Sequence, residues 1–274
     1  MNYRLIAIFL FTSQFSVFAQ EEGNSKFTKA IEDNSFFIEE AYNQEDGVVQ
    51  HISNGYYTFS PSKDFVYTFT QEWPVVSQKH QLSYTVGYSW LNSNKVNGFS
   101  DALINYRYQL TGHDDFITIA PRISVILPIG NENKGLGDGV VGYQLNIPMS
   151  KRITNGLVLH ANAGFTLLPN VKTVDIDGNE SKNTQSNVNL GLSAIWLVTP
   201  KLNLMFEVLQ SISKVPDAKN KMEAVYQTII SPGFRYAIDI KDLQIVPGIA
   251  VPTTVQEGKY DTGVFFYLSF EHPF

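Results

Sequence analysis

Cysteine is absent from the 274 residues, which removes disulfide scaffolds, thiolate metal sites, cysteine nucleophiles and a lipidated N-terminal cysteine together. Long apolar runs are missing too. Beyond residue 19 no stretch approaches the roughly 20 apolar residues of a membrane helix. Charged residues make up only 17%, and the balance is −6, a surface that does not suit nucleic acid as a partner. The histidines His51, His80, His113, His160 and His272 show no metal-ligand spacing. "GLGDG" at 135–139 is not followed by the lysine and serine or threonine of a phosphate-cradling loop. "DIDGNE" at 175–180 has carboxylates near a glycine but lacks the full spacing of a calcium loop. The sequence therefore implies no cofactor and no metal.

What is present begins with "MNYRLIAIFLFTSQFSVFAQ". One basic residue, an apolar run from Leu5 to Phe11, and small residues Val17 and Ala19 two apart form a secretory signal, with cleavage expected after Ala19. Removal of residues 1–19 takes away one base, Arg4, and no acid, so 26 acidic residues against 19 basic ones leave −7.

After residue 47 the dominant pattern is alternation. "HQLSYTVGYSW" sets Leu82, Tyr84, Val86, Tyr88 and Trp90 against Gln81, Ser83, Thr85, Gly87 and Ser89, which is the period of a strand with two unlike faces. "LINYRYQL", "VVGYQLNIPM" and "GLVLHANAGFTLL" repeat it. Similar runs at about 48–59, 65–74, 116–128, 185–198, 202–211, 224–237, 243–251 and 262–274 bring the total to roughly twelve segments long enough to cross a bilayer as barrel strands. Connections alternate as well. "PVVSQK", "TGHDD", "SKRITNG", "VTPK" and "DIKD" are short, whereas "LNSNKVNG", "IGNENKGLGDG", "PNVKTVDIDGNESKN", "KVPDAKNK" and "PTTVQEGKYD" are longer; the first on that side, "SPSKD", is brief. Short periplasmic turns and longer extracellular loops are the signature of an outer-membrane barrel.

The sequence thus predicts an all-β chain, a transmembrane antiparallel β-barrel of about 12 strands over 48–274, preceded by a signal peptide at 1–19 and a periplasmic segment at 20–47. Aromatic residues at 13% supply girdle candidates in Tyr67, Trp73, Tyr84, Tyr88, Trp90, Tyr106, Tyr108 and Trp196. The last strand carries Val264, Phe266, Leu268, Phe270, His272 and Phe274 on one face. It is placed to seal the barrel against the first strand, and its terminal phenylalanine resembles the signal that such barrels present to the barrel assembly machinery.

The runs "FIEEAYNQEDGVVQHI", "FTQEWPV", "HQLSYTVGYSW", "NYRYQL", "APRISVILPIG" and "LHANAGFTLLPN" resemble a family of bacterial outer-membrane proteins labelled phenol-degradation meta-pathway proteins, or simply transporters. The likeness covers residues 36 to 170 by motif and the rest by strand pattern. It implies a barrel in the outer-membrane lipid that passes small hydrophobic or aromatic compounds, with no agreed site residues.

The inward faces are expected to hold Glu72, Arg107, Arg122, Glu207, Arg235 and Glu271. Of these, Glu72, Arg107, Arg235 and Glu271 lie toward the periplasmic ends of their strands, where they are placed to meet. They form either a structural ion-pair network or a constriction that sets selectivity. Glu39 and Glu40, beside Phe36, Phe37 and Tyr42, suggest that the segment before the first strand folds into the mouth as a plug with its acids on the lumen arginines. The alternatives are an extra short strand or a loose tail. His160 and Asn162 share a face, and Ser83, Ser124 and Ser193 are inward serines, but nothing in the sequence pairs any of them with His160 as a nucleophile requires. The resulting expectation is a monomeric, non-enzymatic outer-membrane channel for passive passage of a small molecule. A lipid-acting membrane enzyme and a closed structural or adhesive barrel are the competing classes.

Overall fold

A computed structural model describes residues 31–32, 35–59, 63–93 and 95–274. The expected signal peptide at 1–19 lies outside the described residues. Among the described residues the architecture is a closed antiparallel barrel of twelve strands. These are β1 (Val48–Thr58), β2 (Phe65–Val75), β3 (Ser77–Leu91), β4 in two pieces (Val96–Phe99 and Ala102–Tyr108), and β5 in two pieces (Thr118–Ile119 and Arg122–Leu127). They continue as β6 (Gly142–Thr154), β7 (Leu157–Val174), β8 (Glu180–Leu197), β9 (Leu202–Pro216) and β10 (Met222–Tyr236, with Ile238–Ile240 beyond it). β11 (Leu243–Ala250 and Thr253–Gln256) and β12 (Lys259–Pro273) complete the set.

Each strand pairs with its neighbours in sequence, and the ring closes between β1 and β12, in register from Val48↔Pro273 to Thr58↔Gly263. One further bond, from the Phe274 N–H to the Gly47 carbonyl at 3.0 Å, extends that seam past the last ladder pair. Closure leaves no strand edge facing lipid, the condition on which a sheet can cross a bilayer at all.

The alternation sorts the chain into two surfaces. Ile104, Ile123, Tyr143, Leu190, Leu192, Leu204, Phe234 and Phe266 are exposed on the outside, an arrangement that lipid, not water, makes favourable. Gln81, Asn105, Arg107, Ser124, Asn162, Ser193, Glu207 and Arg235 are buried inside. The girdle residues form two bands on the outer face. Near the β2–β3 turn end Trp73 meets Tyr84, and His80 contacts Tyr106 and Tyr108. Toward the other end Trp90 packs with Phe65 and Tyr88, and Tyr88 with Phe99.

On the side of the chain ends the connections are tight: Val76 alone between β2 and β3, and Asn155-Gly156 between β6 and β7. The β4–β5 connection is longer, spanning 109–117. On the opposite side much of what reads as loop is strand. β7 and β8 each run 18 residues, well past the about 9–11 that the bilayer needs, and only 175–179 turns. Here Thr173 and Ser181 bond across the hairpin at 3.0 Å and Lys172 pairs with Glu180 at 2.9 Å. Outside the lipid both faces meet water, so the apolar alternation that marks a strand disappears while the ladder continues.

The loop over 128–141 is tied down by one carboxylate. Asp101 accepts the N–H groups of Gly130 at 2.9 Å and Asp138 at 2.8 Å, while Leu136 is buried. Burial, followed by the negative charge of Asp101, pushes the Asp138 carboxyl above its ordinary range. Asp138 then binds a proton more readily folded than unfolded, so this group costs stability as pH rises through its folded pKa. Asp138→Asn, which keeps the backbone bond and removes the repulsion, is expected to slow proteolytic cleavage within 128–141 at pH 7 relative to the unaltered protein. Faster cleavage would show that the Asp138 carboxylate holds the loop.

Candidate functional site

The inward side chains near the mouth where β1 begins and β12 ends do not fill the barrel by themselves; the described residues 31–32 and 35–47 lie among them. The first described residue, Ile31, lies at the β9–β10 wall, where Asn203 Nδ2 and Arg235 Nη2 donate to its carbonyl at 2.7 and 3.2 Å. The chain rises to the level of Glu207 and returns along β6, β4 and β3 to Val48. Its deepest residues carry an irregular backbone whose N–H groups have no strand partner, and wall side chains receive them instead.

Glu207 Oε1 accepts three in a row, from Phe36, Phe37 and Ile38 at 3.1, 3.0 and 3.2 Å. Asn162 clamps the next residue both ways, accepting from the Glu39 N–H at 2.8 Å and donating to the Glu39 carbonyl at 2.7 Å. Further along, Ser150 Oγ accepts from Ala41 N–H at 2.7 Å, Gln109 Oε1 from Asn43 N–H at 2.9 Å, and Gln81 Oε1 from Gln44 N–H at 2.8 Å.

The apolar side chains of this segment sit where the wall is thin. A Cβ at Gly233 or Gly248 would strike the Phe36 ring, at 2.6 and 2.8 Å, and one at Gly191 would strike Ile38 Cδ1. These inward glycines make the seat. Phe36 packs there against Phe265 and Tyr267, with ring centroids 5.5 and 5.6 Å apart, within an apolar cluster that includes Ile52, Met205 and Val246.

Charge fixes the other half of the segment. Arg107, buried on β4, is encircled by residues 40–43. It donates to the Glu40 carbonyl at 3.1 Å, the Glu40 carboxylate at 3.2 Å, the Tyr42 carbonyl at 2.7 Å and Asn43 Oδ1 at 2.9 Å. Glu72 lies 3.8 Å away from it. Arg122 grips Glu39 with two bonds, at 2.9 and 2.6 Å, and reaches Asn105 and Gln144 as well.

Of the four residues placed to meet, only Arg107 and Glu72 come together. Arg235 serves the Ile31 carbonyl instead, and Glu271 bonds Gln50, which continues to Gln44. Arg235 on β10 stands across the ring from β4, whereas Glu271 on β12 is two strands from Glu72, with Gln50 of β1 in register with both and bonded to Glu271. Glu207 meets the segment's backbone at its deepest point.

His160 is engaged on both ring nitrogens. Ser150 Oγ is 2.7 Å from Nδ1, and the Glu32 carbonyl is 2.9 Å from Nε2. A carbonyl only accepts, so Nε2 carries the proton and the serine hydroxyl donates to Nδ1. A serine and a histidine do therefore meet on adjacent strands, but the serine is Ser150. Ser193 bonds Ser35 at 2.7 Å, Ser83 accepts from Asn105, and Ser124 bonds Arg122. Ser150 and His160 are both 1% exposed and border neither of the two cavities described next; the pair holds the segment through Ala41 and Glu32. Sequence reasoning missed Ser150 and Gln109, because a hydroxyl or amide reserved for a distant backbone leaves no local pattern.

Above the segment, toward the loop side, two cavities of about 280 and 240 Å³ remain. Both are bounded by Phe37, Glu39 and Arg122. The first continues along Asn54, Thr70, Thr85 and Asn105, the second along Gln144, Asn146, Asn187, Asn189 and Gln227. The site is thus a barrel closed at one end and carrying a polar chamber at the other.

No protein-family model and no curated protein matches the chain. Solved structures do. An outer membrane channel from Pseudomonas putida F1 is similar over 85% of this chain and 98% of its own, with a TM-score of 0.62 at 9% identity. The NanC porin is similar over 82% of this chain and 100% of its own, with a TM-score of 0.52 at 12% identity. Likeness at this level of identity establishes a shared barrel fold.

Proposed function

We propose that this protein is a monomeric outer-membrane channel for passive passage of small molecules, obstructed at its periplasmic end by residues 31–47. The observation that carries the reading is the pairing of a filled mouth with an unfilled polar chamber in one lumen. The lipid-facing outer surface, the two aromatic bands, the seam at Phe274 and the barrel shared with an outer membrane channel and a porin support the location. The terminal strand is the part the assembly machinery would recognise.

The chemistry of passage is physical. A solute collects in the chamber, and the segment must leave its seat for the solute to continue. Glu39, Glu40, Glu72, Arg107 and Arg122 act as the gate contacts, with Glu207 and His160 as fixed points on the wall; Arg235 and Glu271 anchor the two ends. The sequence resemblance suggests small hydrophobic or aromatic solutes. The lining favours polar ones, since amide and hydroxyl groups predominate around both cavities. Nothing in the arrangement calls for covalent chemistry.

Three experiments test the gate. Conductance in planar bilayers is expected to rise when residues 21–46 are deleted; unchanged conductance would remove the plug. Gly248→Leu puts a side chain where the Phe36 ring lies and is expected to raise conductance without altering any charge. Glu207→Ala strips three N–H groups of their acceptor and is expected to do the same, with Glu207→Gln, which keeps an acceptor oxygen, nearer the unaltered protein. Equal conductance in all these variants would favour a closed structural barrel. Arg107→Ala leaves Glu40 and Glu72 without their cation; breaking a buried pair costs about 3–5 kcal/mol, to be read as a lower midpoint of urea unfolding in vesicles.

A further inference from the structure

We infer that the chamber above the segment is a binding site for a neutral, polyhydroxylated molecule of one or two rings, a saccharide in chemical class. The inference deepens the channel reading and rests on it for its meaning, though the binding can be measured without any flux.

The argument starts from what the chamber offers. Asn146, Asn187, Asn189, Gln144 and Gln227 converge on one lobe. Each amide has two N–H donors and an acceptor oxygen; Asn187 Nδ2 is used on Ser211 and Ser213 and Gln144 on Arg122 and Thr166, which leaves the Asn187 and Gln227 oxygens and the whole Asn189 amide for a ligand. A sugar hydroxyl is at once a donor and an acceptor, so a cluster of amides satisfies it in either sense. The only charged groups bordering this lobe are Arg122 and Glu39, and they are spent on each other through two hydrogen bonds. An ionic solute would find no uncompensated partner there. An apolar solute would displace water from the amides and leave them unpaired, the expensive outcome for a buried polar group.

Two further observations point to a ligand. Asn146 Oδ1 in this lobe and Asn54 Oδ1 in the other are buried acceptors with no hydrogen-bond partner among the described residues, and buried acceptors are ordinarily satisfied. Gly164 lies beneath Asn189 so closely that a Cβ there would meet the amide; the wall is cut back to let that side chain lie flat against it. Phe37 borders both lobes and offers an apolar edge to the C–H face of a ring. The volumes, about 280 and 240 Å³, fall just under the roughly 300 Å³ at which ordinary ligand pockets begin, room for a single ring in each.

The chamber lies on the loop side of the gate contacts. Asn187 and Asn189 are farther along β8 from the chain-end mouth than Ser193, and Gln227 is farther along β10 than Ser231. The obstructing segment need not move for a solute to reach it.

The test is calorimetric titration of the full chain in detergent with maltose, with gluconate and p-cresol as charged and apolar probes. Maltose is expected to bind more tightly than either. Asn189→Leu and Asn187→Leu, which keep volume and remove the amide, are each expected to weaken maltose about tenfold, the effect of one lost hydrogen bond at a buried site. Heat-modifiable gel migration checks that each variant is a folded barrel, and Asn189→Ala repeats the measurement should the leucine variant misfold. Tighter binding of p-cresol or gluconate than of maltose would overturn the inference, as would maltose affinity unchanged in the amide variants. Conductance of the 21–46 deletion in salt without sugar reports on the channel separately. Conductance without maltose binding sinks the saccharide site alone, and maltose binding without conductance sinks the channel alone.

Discussion

Backbone placed inside a membrane barrel must find a partner for every N–H and C=O group, because neither lipid nor a ladder supplies one. Everything distinctive in this lumen answers that demand. Glu207, Asn162, Ser150 and Gln81 on four different strands, and Gln109 just past the end of β4, each accept at least one N–H of residues 36–44. Beyond them, toward the loop side, the wall stays rich in hydrogen-bonding groups such as Asn187, Asn189 and Gln227, but no segment among the described residues takes them up, and the chamber begins.

Two kinds of contact hold the segment, and they respond differently to conditions. The seat cut by Gly191, Gly233 and Gly248 for Ile38 and Phe36 is steric and apolar, so salt leaves it largely untouched. The grip of Arg107 on Glu40 is an ion pair taken out of water, while that of Arg122 on Glu39 is half-buried at the chamber floor. Their net energy is small against the desolvation they entail, but a wrong register would strand a buried charge. The apolar seat supplies attraction while the arginines fix position.

The barrel itself was legible residue by residue. Gln81, Ser83 and Ser89 alternate with Leu82, Tyr84 and Tyr88, and that alternation named both faces of β3 before any coordinate did. The same rule failed at 170–174 and 180–184, where polar residues on both faces concealed a hairpin standing in water. The site was less legible. Arg107 and Glu72 were placed on inward faces by periodicity, yet the Arg122–Glu39 and Arg107–Glu40 contacts join residues 83 and 67 positions apart, and no spacing rule reaches that far. Ser150 gave no signal at all, since its role is to receive one N–H from a segment more than a hundred residues away.

By itself the sequence determined strand number, the sidedness of each strand, the sealing role of Phe274 and the supply of inward charge, because all of these are local consequences of a two-residue period. Only the tertiary structure decided which charges meet, that residues 35–47 lie within the barrel mouth, and that amides gather around one chamber. Those features depend on curvature and closure: the ring of twelve strands brings β4 to β6 and β8 to β10 around one axis, and the distance across that ring cannot be written in any single strand.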